Sequence, residues 1–283
     1  MRPSPAFRST AKGGDLALTG WDPGQYLRYG DERLRPFIEL IARIPLLDGR
    51  PQVVDLGCGP GNTTAVLLER WPAASVVGVD SSPAMIGAAG AVAAPPQLTF
   101  VLGDMTTWEP NGPVDVVVAN AALHWVPGHT ELFGRWLGWL RPGGILAFQV
   151  PGNDASPTHA RLRALASSQW SDRLGAVADR ADVLTPRGYY EALRRLGAEV
   201  DARETTYCHV LTGPDPVLEW VKGTALRPYL AALEPEQAGE FEAAYAAALR
   251  EAYPPSPGGE TVRPRVPPGV RGGPGARLAG RAG

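Results

Sequence analysis

The chain has 283 residues, 44% of them hydrophobic, with two cysteines and a formal net charge of −2. That charge balance argues against a general nucleic-acid binder, which would carry a basic face, and no apolar run approaches the ~18 residues of a membrane span. Cys58 and Cys208 make neither a disulfide framework nor a zinc site; with no apolar signal core at the N-terminus, a soluble cytoplasmic protein is the expectation.

Residues 1–20 mix Gly, Ser, Thr and Pro and are expected to be loose. Asp31–Ile44 has amphipathic spacing and predicts a helix, with Pro36 tolerable only near its start. Gln52–Leu56 predicts the first strand. It opens into VVDLGCGPG, Val53–Gly61, where Gly57, Gly59 and Gly61 allow positive φ and close approach of a ligand to the main chain. A helix follows with Asn62 as N-cap. The second strand, Ser75–Val79, ends in Asp80, and Ser81-Ser82-Pro83 starts another helix. Leu98–Leu102 is the third strand, followed by Gly103-Asp104-Met105. Val114–Ala119 is continuously apolar, as expected of a strand buried on both faces, and ends at Asn120–Trp125. Thr130–Leu140 predicts a helix, Ile145–Val150 a strand, and Thr158–Trp170 and Pro186–Leu196 two helices. Glu199–Leu211 alternates as one strand, and Pro214–Lys222 and Pro235–Tyr253 are helical. Alternating strands and helices imply an α/β class: a Rossmann-like, doubly wound, mostly parallel sheet with helices on both faces.

In an open parallel sheet, ligands bind at the carboxyl ends of the strands. That rule gathers Asp55, the glycine loop, Asp80, Asp104, Met105 and Asn120–Trp125 around one crevice. The strand–loop–helix–strand run is a nucleoside-binding unit, and Asp55 helps decide which nucleoside. A carboxylate just before the loop would repel a pyrophosphate but suits a cation, such as the ammonium and sulfonium of S-adenosylmethionine. The glycines read G-x-G-x-G rather than the G-x-G-x-x-G of a dinucleotide loop. Asp80 can accept from both ribose hydroxyls, Asp104 from an adenine amino group, and Met105 can lie on the ring. Asn120 can bond the amino-acid end of the donor, and His124 and Trp125 would face the transferred methyl. Competing readings make Asp104 a turn residue at a strand end and His124 a core histidine.

These motifs, with VVGVD and LGD in place, resemble class I S-adenosylmethionine-dependent methyltransferases. More narrowly, Trp21-Asp22-Pro23, LHWVPGH, Pro157-Thr158-His159, TTYCHVL and GTALRPYL resemble the bacterial trans-aconitate 2-methyltransferase family, from residue 21 to about 253. The resemblance implies methyl-ester formation on a small polycarboxylic acid, with S-adenosyl-L-methionine as donor and no metal. It makes Asp55, Gly57, Gly59, Gly61, Asp80, Asp104, Met105 and Asn120 donor-binding. His124, Arg227 and Tyr26 become catalytic candidates, and Trp125, Arg28, His159 and Tyr207 acceptor-binding ones. Arg227 is favoured because it lies inside GTALRPYL and arginine binds carboxylates two-pronged. The partner is a small-molecule carboxylic acid, with no nucleic acid and no membrane, and the enzyme is expected as a monomer or homodimer. Alternatives are another small O- or N-acceptor, a nicotinamide-dependent oxidoreductase, and a donor-binding protein without turnover.

The expected organisation is a loose segment 1–20, a methyltransferase domain 21–253 with a donor half to about 150 and an acceptor-side half beyond, and a tail 254–283. Half of that tail is glycine or proline, which predicts disorder. The family's final antiparallel strand is therefore expected to be missing or disrupted, as if a reading-frame change had replaced it, with Thr261–Val266 giving at most a stub.

Overall fold

The structure, a computed structural model, describes residues 30–153, 155–178, 183–256, 261–264 and 270–277. Helix α1, Gly30–Ile41, keeps Pro36 inside rather than at its start, because Phe37, Leu40 and Ile41 around that turn are buried in the core. Then come β1 (Gln52–Leu56), α2 (Asn62–Arg70), β2 (Ser75–Asp80), α3 (Pro83–Ala89), β3 (Leu98–Leu102), β4 (Val114–Asn120), α4 (Phe133–Gly138) and β5 (Leu140–Pro151). Next are α5 (Pro157–Ala166), α6 (Ser171–Ala178), α7 (Pro186–Arg195), β6 (Glu199–Thr205), β7 (Cys208–Leu211), α8 (Pro216–Lys222), α9 (Arg227–Ala231), α10 (Pro235–Ala252), β8 (Thr261–Pro264) and β9 (Val270–Arg277).

The main sheet has the order β3-β2-β1-β4-β5-β9-β6. Strands β1 to β5 pair in parallel, and β9 is antiparallel to both neighbours, so β6 runs the same way as β5. Alternate residues of each strand feed opposite faces. Val53, Val116, Val118, Ile145 and Ala147 pack with α1 and α2 through Phe37, Ile41 and Leu67. Val54, Val117, Ala119, Leu146 and Phe148 pack with α4 and α7 through Phe133, Trp136, Tyr189 and Leu193. A separate helical cluster joins α5, α6, α8, α9 and α10 around Trp170, Trp220, Phe241 and Tyr245. No helix among the described residues is long and apolar enough to cross a membrane.

Two expectations are corrected. The final antiparallel strand is present: β9 lies between β5 and β6. It needs no apolar side-chain pattern, because its backbone pairs on both edges. Its pairing with β5 and with β6 shifts register around Gly273-Pro274, so the proline falls where a ladder bond is already absent. The run 199–211 is two strands: β6 joins the main sheet, whereas β7 leaves it after Thr206-Tyr207 to pair with β8. The stub expected near Thr261 is β8, and Pro264 closes it.

Candidate active site

The glycine loop follows β1 directly. Gly57, Gly59 and Gly61 have φ of 76°, 57° and 80°, the left-handed region that disfavours other residues. A Cβ on Gly57 would lie 2.4 Å from the Ala122 Cβ, and one on Gly61 2.6 Å from the Phe100 ring. At Gly59 a Cβ would meet nothing within 4 Å. Two glycines are therefore demanded by packing, and the middle one borders open space.

The loop is tied to β2. The amides of Gly57 and Cys58 donate to the Val79 carbonyl at 2.8 and 3.1 Å. Asp80 accepts from the Gly59 amide through Oδ2 and from the Ser82 amide through Oδ1, each at 2.9 Å. Burial pushes the Asp80 carboxyl up, and those two amides pull it back. A carboxylate offers about four acceptor positions, so roughly two are left for a ligand.

Asp55 is 1% exposed. Its Oδ2 accepts from the Thr64 hydroxyl at 2.6 Å, while Oδ1 is buried with no partner among the described residues. Burial pushes its carboxyl up to about 7; the Thr64 bond opposes this and the Asp80 charge adds to it. An orphaned buried acceptor that titrates near neutrality fits a cationic ligand.

Asp104 is exposed and turns back on its own loop, with Oδ1 accepting from the Thr106 amide and hydroxyl, both at 2.8 Å. These bonds make Asp104 a turn residue after β3. Met105 is half-buried, and its Cε would sit 3.2 Å from a Gly57 Cβ, which places it beside the glycine loop. Asn120 ends β4. Its Oδ1 accepts from Gln149 Nε2 at 2.6 Å. Ala121 follows with φ of 50°. His124 and Trp125 then form a short 3₁₀ turn, ring centroids 4.8 Å apart.

The acceptor-side candidates follow the later strands. His159 lies in the first turn of α5, after β5, with Nδ1 3.2 Å from both the Ser156 and Thr158 hydroxyls. Tyr207 follows β6, and its hydroxyl donates to Glu39 of α1 at 2.7 Å, with the Arg35 guanidinium 5.0 Å over its ring. Burial raises the Glu39 carboxyl, but Tyr207, Arg35 and Arg43 together hold it below its ordinary value. Tyr207 is thereby a brace between α1 and the region beyond β6. Arg227 opens α9, within the helical cluster rather than on the sheet. Tyr26, Arg28 and Trp21 lie outside the described residues.

Three supporting residues escaped the sequence reading. Gln149 holds Asn120. His129, 2% exposed, bonds Tyr189 Oη at 2.9 Å. Arg135 of α4 reaches the carbonyls of Thr106, Thr107 at 2.7 Å and Trp108 at 3.0 Å, clamping the loop that carries Asp104 and Met105. His129 is inside LHWVPGH, the one signal that could have marked it. No group of three or more His, Cys, Asp or Glu residues is placed to hold a metal among the described residues.

Comparison with known proteins identifies the family. Residues 53–144 match a methyltransferase domain family. The chain is 51% identical over 245 residues to the trans-aconitate 2-methyltransferase of Streptomyces avermitilis, covering 84% of this chain and 91% of that one. It is 44% identical over 252 residues to that of Mycobacterium tuberculosis, covering 86% and 93%. The YcgJ protein of Bacillus subtilis superposes with a TM-score of 0.54 at 14% identity, over 87% of this chain and 97% of that one. Mycolic acid cyclopropane synthase CmaA1, complexed with SAH and CTAB, superposes with a TM-score of 0.53 at 14% identity, over 92% and 89%. These last two share the fold. With a glycine loop and paired acids at the carboxyl ends of β1 and β2, and with identity that runs through both halves of the chain, this protein belongs to the trans-aconitate 2-methyltransferase family of S-adenosylmethionine-dependent methyltransferases.

Proposed function

We propose that the chain transfers a methyl group from S-adenosylmethionine to one carboxylate of trans-aconitate, giving a monomethyl ester and S-adenosylhomocysteine. We place it in the cytoplasm as a monomer or homodimer. The observation that carries this reading is identity of 44–51% over 83–88% of the chain, acceptor-side half included.

The donor-side geometry supports it. Asp80 retains acceptor capacity for the ribose hydroxyls, Asp104 and Met105 are candidates for an adenine amino group and ring, and Gly59 leaves room for close approach. Asp55 and Asn120 are candidates for the amino-acid end. When bound, the donor supplies an electrophilic methyl on a sulfonium. A carboxylate nucleophile is already ionised at neutral pH, so no side chain has to remove a proton. The task of the chain is to orient the acceptor and keep water out. His124 and Trp125 are suited to flank the transferred methyl. His159 and Arg227, with Arg28 and Tyr26, are candidates for the other carboxylates of the acceptor. Tyr207 is a further candidate on this side, with its hydroxyl donated to Glu39.

Mass spectrometry of purified protein incubated with S-adenosylmethionine and trans-aconitate tests the proposal. A product heavier than trans-aconitate by one methylene is expected. Binding of the donor without any such product would overturn the acceptor assignment.

A further inference from the structure

We infer that Gln149 is a donor-binding residue: with Asn120 it forms an amide pair that offers one acceptor and one donor to the α-ammonium and α-carboxylate of S-adenosylmethionine. The inference rests on the methyltransferase reading above and assigns a residue to the amino-acid end of that site.

Asn120 and Gln149 are register partners across β4 and β5, so their side chains leave the sheet on the same face. Asp55 is the partner of Val118, two residues before Asn120 in β4, and therefore shares that face. Three adjacent strands, β1, β4 and β5, thus bring three polar side chains to their carboxyl ends, beyond the apolar row of Val53, Val116, Val118, Ile145 and Ala147.

The hydrogen bonds fix what each group has left. Gln149 Nε2 donates to Asn120 Oδ1 at 2.6 Å, which uses the Asn120 carbonyl and leaves its N–H groups to face a ligand. Gln149 Oε1 is buried with no partner among the described residues, in a side chain only 3% exposed. Asp55 Oδ1 is in the same state. A buried acceptor without a donor is costly and calls for one. Two orphaned acceptors and one amide donor complement a zwitterion, in which the ammonium donates three hydrogens and the carboxylate only accepts. The main chain of Gln149 contributes too. Its carbonyl accepts from the Ala121 amide at 3.0 Å, holding Ala121 at a φ of 50° that alanine adopts only under constraint.

The test compares two ligands on the full-length protein by titration calorimetry. S-adenosylhomocysteine carries the amino-acid end, and 5′-methylthioadenosine lacks it but keeps the nucleoside. Gln149→Leu is expected to weaken S-adenosylhomocysteine by about ten- to a hundredfold, the range for losing a hydrogen bond to a charged group. It should leave 5′-methylthioadenosine within about twofold of wild type. Retained binding of the nucleoside also reports an intact fold. Equal weakening of both ligands would assign Gln149 a structural role, and no weakening of either would mean that water satisfies Oε1; both overturn the inference. Failure of the wild-type protein to bind S-adenosylhomocysteine at all would remove the donor reading itself, a result separable from any effect of the variant.

Discussion

His129 Nε2 lies 2.9 Å from Tyr189 Oη, which ties the loop after β4 to helix α7. The other ring nitrogen settles the direction of that bond. Nδ1 is 3.2 Å from the Val126 carbonyl, and a carbonyl can only accept, so Nδ1 carries the proton. Neutral His129 then presents Nε2 as an acceptor, and the Tyr189 hydroxyl donates to it. The ring thus ties Val126, the residue after Trp125, to Tyr189.

Replacing Tyr189 with Phe leaves Nε2 buried without its hydroxyl. We expect a loss of about 1–3 kcal/mol in urea unfolding, with a larger fall in kcat than in donor affinity, because the loop rather than the donor site loosens. An unchanged midpoint would show that the bond contributes nothing. Burial also lowers the pKa of His129, partly countered by the Val126 carbonyl. The unfolded chain therefore takes up the proton first as pH falls. The neutral ring stabilises fully above about pH 6.5, and that contribution is lost as pH drops towards the lower folded value. Relative to wild type, His129→Gln should gain stability as pH falls from 7 to 5, because it lacks the imidazole that the unfolded chain protonates first.

Arg135 anchors the donor loop from outside it. Its guanidinium binds the carbonyls of Thr106, Thr107 and Trp108 and pairs with Glu109 at 3.2 Å. Arg135→Met keeps the stem but removes every one of those donors. We expect S-adenosylhomocysteine affinity to fall about three- to tenfold, with kcat at saturating donor changing less. Unaltered affinity would mean that the Asp104–Thr106 turn, with both bonds at 2.8 Å, holds the loop alone.

What could be read from the sequence was whatever has a local cause. Apolar runs, β-branched in β1, β2 and β4, mark the first five strands, and left-handed glycines and the acid ending β2 mark the glycine loop, because each signal sits within a few residues of its effect. The supporting residues have distant partners: Gln149 meets Asn120 29 residues away, and His129 meets Tyr189 60 residues away. No periodicity reports such pairs. β9 was missed for the opposite reason. Its glycines and Pro274 suggest disorder, yet a strand flanked on both edges is held by backbone bonds that composition does not show. The break between β6 and β7 was hidden because alternation continues through Thr206 and Tyr207 while the chain changes sheets.

Asp55 makes the proposed donor site sensitive to pH. Burial first, then the charge of Asp80, raises its carboxyl to about 7 against the pull of the Thr64 bond. The unfolded value is about 3.9, so the folded, ligand-free protein holds the proton that the unfolded chain has released. Stability is greatest below pH 4 on this account and declines as pH rises towards 7. Asp55→Asn should accordingly be more stable than wild type at pH 8, with the gap closing by pH 4, while binding S-adenosylhomocysteine more weakly. A cationic group beside Asp55 reverses the shift and holds the carboxylate ionised. Binding of S-adenosylhomocysteine at pH 6.5 should then release a fraction of a proton, and at pH 8.5 almost none. Calorimetry in phosphate and in Tris, whose ionisation enthalpies differ, reads that proton directly. Identical heats in both buffers at pH 6.5 would mean that Asp55 is already ionised or that the ammonium lies elsewhere.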